Sequence, residues 1–172
     1  MVPSGSKILV WVEPPAAYIR LVGRAALEGA RDFKALVRRL DQEGIRRFCL
    51  DLQDCKIMDS TFSGVLAALA TDLGPLPDDP KCSRFVLVGP NERVRDLLDN
   101  LGVLPLVSVV SADGRMERPS QVQELERQTV TKEQVAECCL EAHRFLEKLH
   151  PDNRARFAEV TRLLEQQLQS AR

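Results

Sequence analysis

Three consecutive residues carry the clearest chemistry in this sequence: Asp59, Ser60 and Thr61, which lead into Phe62, Ser63, Gly64, Val65 and Leu66. A carboxylate and two hydroxyls stand where a strand-like run gives way to a helical one. Asp and Ser are strong N-cap types, so a helix is expected to begin here. At a helix start the free backbone N–H groups and the dipole favour an anion such as phosphate. A hydroxyl at this point could therefore carry a phosphate without loss of the fold. Taken alone, the local pattern favours plain capping.

The elements that must position these residues are legible on either side. Phe48, Leu50 and Leu52 alternate with Cys49, Asp51 and Gln53, the period of a strand with two distinct faces. Asp54, Cys55 and Lys56 break that alternation. Beyond them Phe62, Val65, Leu66, Leu69 and Leu73 recur at helical spacing and form one apolar face. The opposite face is made of small residues (Ser63, Gly64, Ala67, Ala68 and Thr71), which lets another surface come close.

Further out, two strands are expected over 7–12 and 18–23, separated by Glu13-Pro14-Pro15-Ala16. A helix over 27–43 buries Phe33, Leu36, Val37 and Leu40, keeps Arg31, Asp32, Lys34, Arg38 and Arg39 outside, and stops at Gly44. Residues 74–80 read as a loop and 84–88 as a buried strand. A helix then presents Val94, Leu97, Leu98 and Leu101, and 104–110 forms a last strand. The order β-β-α-β-α-β-α-β implies an α/β domain over 7–110 with a mixed sheet of four or five strands. Residues 111–130 read as a linker.

Residues 131–172 are helical in pattern. Thr131 and Gln134 make a capping box, and Val135, Cys138, Cys139, Ala142, Phe145, Leu146 and Leu149 mark an amphipathic helix. A turn at His150-Pro151-Asp152-Asn153, with the cap at Asp152 or Asn153, leads to a second helix marked by Phe157, Val160, Leu163, Leu164 and Leu168. The short connection implies an antiparallel α-helical hairpin. Two helices alone bury too little, so they must pack on the α/β domain, on a second copy in a homodimer, or on another protein.

Composition narrows the function classes. The 172 residues carry a net charge of −1, with 44% apolar and 28% charged residues, and suit one domain with an appendage. Without a basic stripe, and with six Phe, one Trp and one Tyr, nucleic acid is not an expected partner. Neither a membrane span nor a signal peptide is legible, which points to the cytoplasm. Five cysteines without a Cys-x-x-Cys fit reduced, packed thiols better than disulfides or zinc. His143 and His150 read as a solvated helix face and Cys138-Cys139 as packing, so no metal is expected. No phosphate-loop glycine spacing marks a cofactor, and Cys55 alone near the strand ends could serve an enzyme.

The element order, the Leu50-Asp51-Leu52 strand end, Met58-Asp59-Ser60-Thr61 and Gly64-Val65-Leu66 together resemble a STAS domain, the fold of anti-sigma factor antagonists. Phe62 stands where that family often has Gly, and Ser63 where an apolar residue is common. The resemblance implies a non-enzymatic module that binds an anti-sigma factor which is itself a serine/threonine kinase. It implies phosphorylation of the second hydroxyl, Thr61, with Ser60 the second choice. The expected partner surface is Asp59, Ser60, Thr61, Ser63, Gly64, Ala67 and Ala68. A phosphate would add about −1.5 to −2 charges beside Asp51, Asp54 and Asp59 and break that interface. The same fold could instead serve as an adaptor or structural subunit of a transporter or signalling assembly, with Thr61 only a cap.

Overall fold

A computed structural model of the chain describes residues 5–113 and 121–171. The middle of the expected linker, 114–120, and the start of the segment read for a targeting signal lie outside the described residues. Strands β1 (Lys7–Glu13) and β2 (Ala16–Ala25) pair as an antiparallel hairpin, and α1 (Leu27–Gln42) follows. Next come β3 (Arg47–Asp51), β4 (Cys55–Met58) and α2 (Ser60–Leu73), then the small ribbon of β5 (Pro75–Leu76) and β6 (Asp79–Ser83). β7 (Phe85–Val88), α3 (Glu92–Asn100), a 3-10 turn (Leu104–Leu106) and β8 (Ser108–Val110) close the α/β part. β9 (Gln123–Glu124), α4 (Lys132–Leu149) and α5 (Pro151–Ser170) complete the chain.

The main sheet runs β8-β7-β3-β2-β1-β9, with β4 added on β2. β3 lies between two parallel neighbours, β2 and β7. That position explains why Phe48 and Leu50 are fully buried and why Phe48 stacks on Phe85 at 5.2 Å. Across the helix layer Phe33 of α1 stacks on Phe62 of α2 at 4.8 Å, joining the two apolar stripes. The hairpin α4–α5 is docked on this same domain, with α4 lying against α2 and α1. Of the three ways to cover its apolar stripes, packing on the domain is the one observed.

Several local expectations need correction. The break at 54–56 contains the start of β4, which re-enters the sheet beside the end of β2. Gly23, at φ 78°, sits where the register of that pairing shifts, a backbone state that glycine reaches without strain. Residues 74–80 hold β5 and the start of β6, a separate two-stranded ribbon whose prolines are tolerated because both of its strands are edges with some N–H positions unpaired. Only the second half of 104–110 is a strand, since Pro105 sits in the 3-10 turn. The expected linker also contributes β9, which pairs with β1.

Four side chains also depart from their expected places. Asp32 is buried rather than outside and accepts the backbone N–H of Gln128. His150, followed by Pro151 in the first turn, caps α5 in place of Asp152 or Asn153. Asn153 is buried instead and donates to the carbonyls of Leu101 and Leu146. Leu163 is half exposed, and the neighbouring inward position belongs to Thr161, whose hydroxyl donates to Glu147.

Candidate functional site

The site is the first two turns of α2. Asp59 has extended backbone at the N-cap, and its Oδ1 accepts the Phe62 N–H at 2.8 Å. Its Oδ2 accepts the Leu27 N–H at 2.9 Å, so one carboxylate holds the starts of α2 and α1 together. The Asp59 backbone N–H donates to the Ala25 carbonyl at 2.9 Å, which pins this corner to the end of β2. The Ser63 hydroxyl turns back on its own helix and donates to the Asp59 carbonyl at 2.8 Å. With Asp59 as the cap and Ser63 bonded internally, Ser60 and Thr61 are left with no capping role.

Both of those hydroxyls face α4. Ser60 Oγ lies 2.9 Å from His143 Nε2, and Thr61 Oγ1 lies 3.4 Å from Cys139 Sγ. Cys139 Sγ in turn lies 3.4 Å from His143 Nδ1, which closes a small polar seam between the two helices. Thr61 keeps 4% of its surface exposed, and Ser63 and Ala67 keep none. Ala68 is half-buried. Asp59, Ser60, Thr61, Ser63, Gly64, Ala67 and Ala68 lie together at the start of α2. The surface pressed against the small residues is the chain's own α4, and most of these positions are covered.

His143 is the residue that sequence reasoning missed. Expected on a solvated face, it is buried, with its ring 4.8 Å from that of Phe157. Burial pushes its pKa below the ordinary histidine value, while Asp59, Glu147 and a hydrogen bond to the Cys139 backbone pull the other way. A neutral imidazole offers one donor and one acceptor, which suits a hydroxyl on one side and a thiol on the other. The available signal was its place beside Ala142 and four residues after Cys139, on the edge of the apolar stripe.

The acidic neighbourhood is also different from that expected. Asp51 is fully buried, and the Arg20 guanidinium donates to its Oδ2 at 2.7 Å. Parallel register sets Arg20 directly beside Asp51, and the guanidinium lies 5.9 Å from the Trp11 ring. One of the three carboxylates is therefore matched by a cation, whereas Asp54 is exposed. An arginine inside the apolar run Tyr18-Ile19-Arg20-Leu21-Val22 was the signal for this pair.

Among the thiols, burial pushes Cys55 up to about 11, the opposite of an activated nucleophile. Burial also raises Cys139, with the Thr61 hydroxyl opposing it. No group of three or more His, Cys, Asp or Glu side chains among the described residues could hold a metal ion. None of the described helices is long and apolar enough to cross a membrane.

The STAS domain family model matches residues 12–114. The solved structure of the anti-sigma factor antagonist SpoIIAA in its unphosphorylated form aligns at TM-score 0.51 and 18% identity, over 62% of this chain and 90% of that one. The protein TM1081 of Thermotoga maritima aligns at TM-score 0.50 and 21% identity, over 59% and 78%. The phosphorylated form of the Bacillus cell fate determinant SpoIIAA aligns at TM-score 0.47 and 18% identity, over 62% and 93%. No curated protein sequence matches the chain. Helices α4 and α5 lie beyond the family match.

Proposed function

Since the chain belongs to the STAS domain family, we propose that it is a regulatory binding module of the anti-sigma factor antagonist type. On this reading it acts in the cytoplasm without a cofactor and binds an anti-sigma factor that is itself a serine/threonine kinase. Phosphate on Thr61 ends that complex. One observation carries the reading: Asp59 caps α2, so Thr61 stands in its first turn with a hydroxyl that the helix does not use. A phosphate there would gain from the helix dipole, which protects the fold. It would also add about −1.5 to −2 charges and three acceptor oxygens to a surface that binds by close contact, which breaks the contact.

The test is intact-mass and site-mapping mass spectrometry after incubation with ATP and a candidate kinase of this class. Pull-downs of the parent, Thr61→Ala, Thr61→Glu and Ser60→Ala chains accompany it. One phosphate at Thr61, lost in Thr61→Ala while partner binding persists, supports the reading. Phosphate elsewhere, or binding indifferent to modification at 61, points to the second reading, an adaptor or structural subunit of a transporter or signalling assembly. The near-complete burial of Thr61 under α4 is the observation that favours this alternative.

A further inference from the structure

We infer that the C-terminal hairpin is a lid that occupies the partner surface of α2 within the same chain, and that Thr61 is offered to a kinase only when this lid lifts. The inference rests on the reading of α2 as the partner surface, and adds how that surface is regulated. A kinase must bring a phosphoryl group in line with the hydroxyl oxygen it modifies. With Oγ1 3.4 Å from Cys139 Sγ and the residue 4% exposed, no such approach exists in the docked state. The same contact excludes a second protein from Gly64, where a β-carbon would already meet the Ala142 backbone at 2.6 Å.

A polar seam runs along this contact, beside Ala142 and Leu146 of α4, which join the same apolar core as Phe62 and Leu66. Ser60, Thr61, Cys139 and His143 meet side chain to side chain across it, and each can exchange its neighbour for water when the helices part. The ion pair that fastens α4 to α1, between Lys34 and Glu141, is largely exposed and contributes little. Within the hairpin, Phe157 packs on His143 and Thr161 bonds Glu147, both at buried positions. The two helices are thus tied to each other independently of α2. Asn153 ties their turn to the end of α3 through the Leu101 carbonyl, which suits a unit that swings about one fixed corner.

Two measurements on the full chain test the lid. In the Thr61→Cys chain, kept reduced, iodoacetamide labelling at position 61 is read by peptide mass spectrometry. Labelling should be slow, and adding Ala142→Leu, which wedges α4 away from Gly64, should speed it about tenfold or more. Labelling of the Thr61→Cys chain at the rate of a free thiol would show that no lid is closed. Hydrogen exchange on the unaltered chain covers the case in which the wedge disturbs folding. Amides of α4 and α5 should exchange together and faster than those of β3, whereas protection equal to β3 would make the hairpin part of the permanent core and overturn the idea. The kinase incubation repeated on Ala142→Leu separates the two readings. Gated labelling with no phosphate at Thr61, even on the opened chain, would leave the lid standing and sink the phospho-switch.

Discussion

Gly64 and Ala142 meet so closely that a β-carbon on Gly64 would stand 2.6 Å from the Ala142 carbonyl oxygen and 2.9 Å from its β-carbon. Helices α2 and α4 therefore touch almost backbone to backbone at this point, and the absence of a side chain at 64 is what permits it. One turn before Gly64 on α2 lie the Ser60–His143 and Thr61–Cys139 pairs. The glycine that reads as part of a small-residue face is the place where the hairpin is seated.

Gly64→Ala should lower stability. In an ordinary helix interior the change gains up to about 1 kcal/mol. Here the new carbon meets backbone rather than a flexible tip, and overpacking of that kind costs about 1–3 kcal/mol. The expected net loss is up to about 2 kcal/mol in urea unfolding. A gain in stability would show that α4 is not seated on α2 in solution.

Removing the Asp59 carboxylate should release two helix starts at once, because Phe62 and Leu27 both donate to it. Loss of one cap costs about 1 kcal/mol, so Asp59→Ala should cost about 2 kcal/mol or slightly more. Asp59→Asn keeps an acceptor for one N–H and should recover part of that loss. Denaturant titration of the three chains decides the matter, and a cost for Asp59→Ala below about 0.5 kcal/mol would contradict the double role.

The Arg20–Asp51 pair should behave as a buried charge pair. Asp51→Leu or Arg20→Met leaves its partner buried without a counter-charge, at a cost of about 3–5 kcal/mol. The double replacement Arg20→Met with Asp51→Leu should cost far less than the sum of the single changes. Additive losses in a double-mutant cycle would mean that the two side chains do not depend on each other.

Docking of the hairpin should weaken in mild acid through His143. Its folded pKa lies below the unfolded value, because burial disfavours the charged ring more than Asp59 and Glu147 favour it. Well above about pH 6.5 the ring is neutral in both states and no stability is lost. As the pH falls below that value the unfolded chain takes up the proton first, so stability declines until the folded site protonates as well. The protection factors of α4 amides, taken relative to their intrinsic exchange rates at each pH, should therefore fall as the pH drops below about 6.5, and His143→Gln should flatten that dependence. An unchanged slope in His143→Gln would assign the effect to other groups.

Much of the frame was legible in the residues because its causes are local. The alternation of Phe48, Leu50 and Leu52, the stripe of Phe62, Val65, Leu66 and Leu69, and the capping box of Thr131 and Gln134 are each decided within a few residues. So is the helix start at Asp59, whose side chain reaches a backbone N–H three residues on. From such signals the element order and the α/β architecture follow. The short strands did not: β4 and the two-residue β9 are too brief to show a period, and exist because β2 and β1 offer them unpaired edges.

What covers Thr61 was decided by tertiary structure alone. Small residues at Ser63, Gly64 and Ala67 state that some surface can come close, but closeness is a property of one helix while the identity of the neighbour is not. The contact joins residues 83 and 78 positions apart, Ser60 to His143 and Thr61 to Cys139. No periodicity spans that distance. The same holds for Arg20 and Asp51, 31 positions apart, which only the parallel register of β2 and β3 sets side by side. Burial then settles the chemistry, since it makes His143 a neutral partner for a hydroxyl and encloses Thr61, the residue whose type had marked it as a candidate for modification.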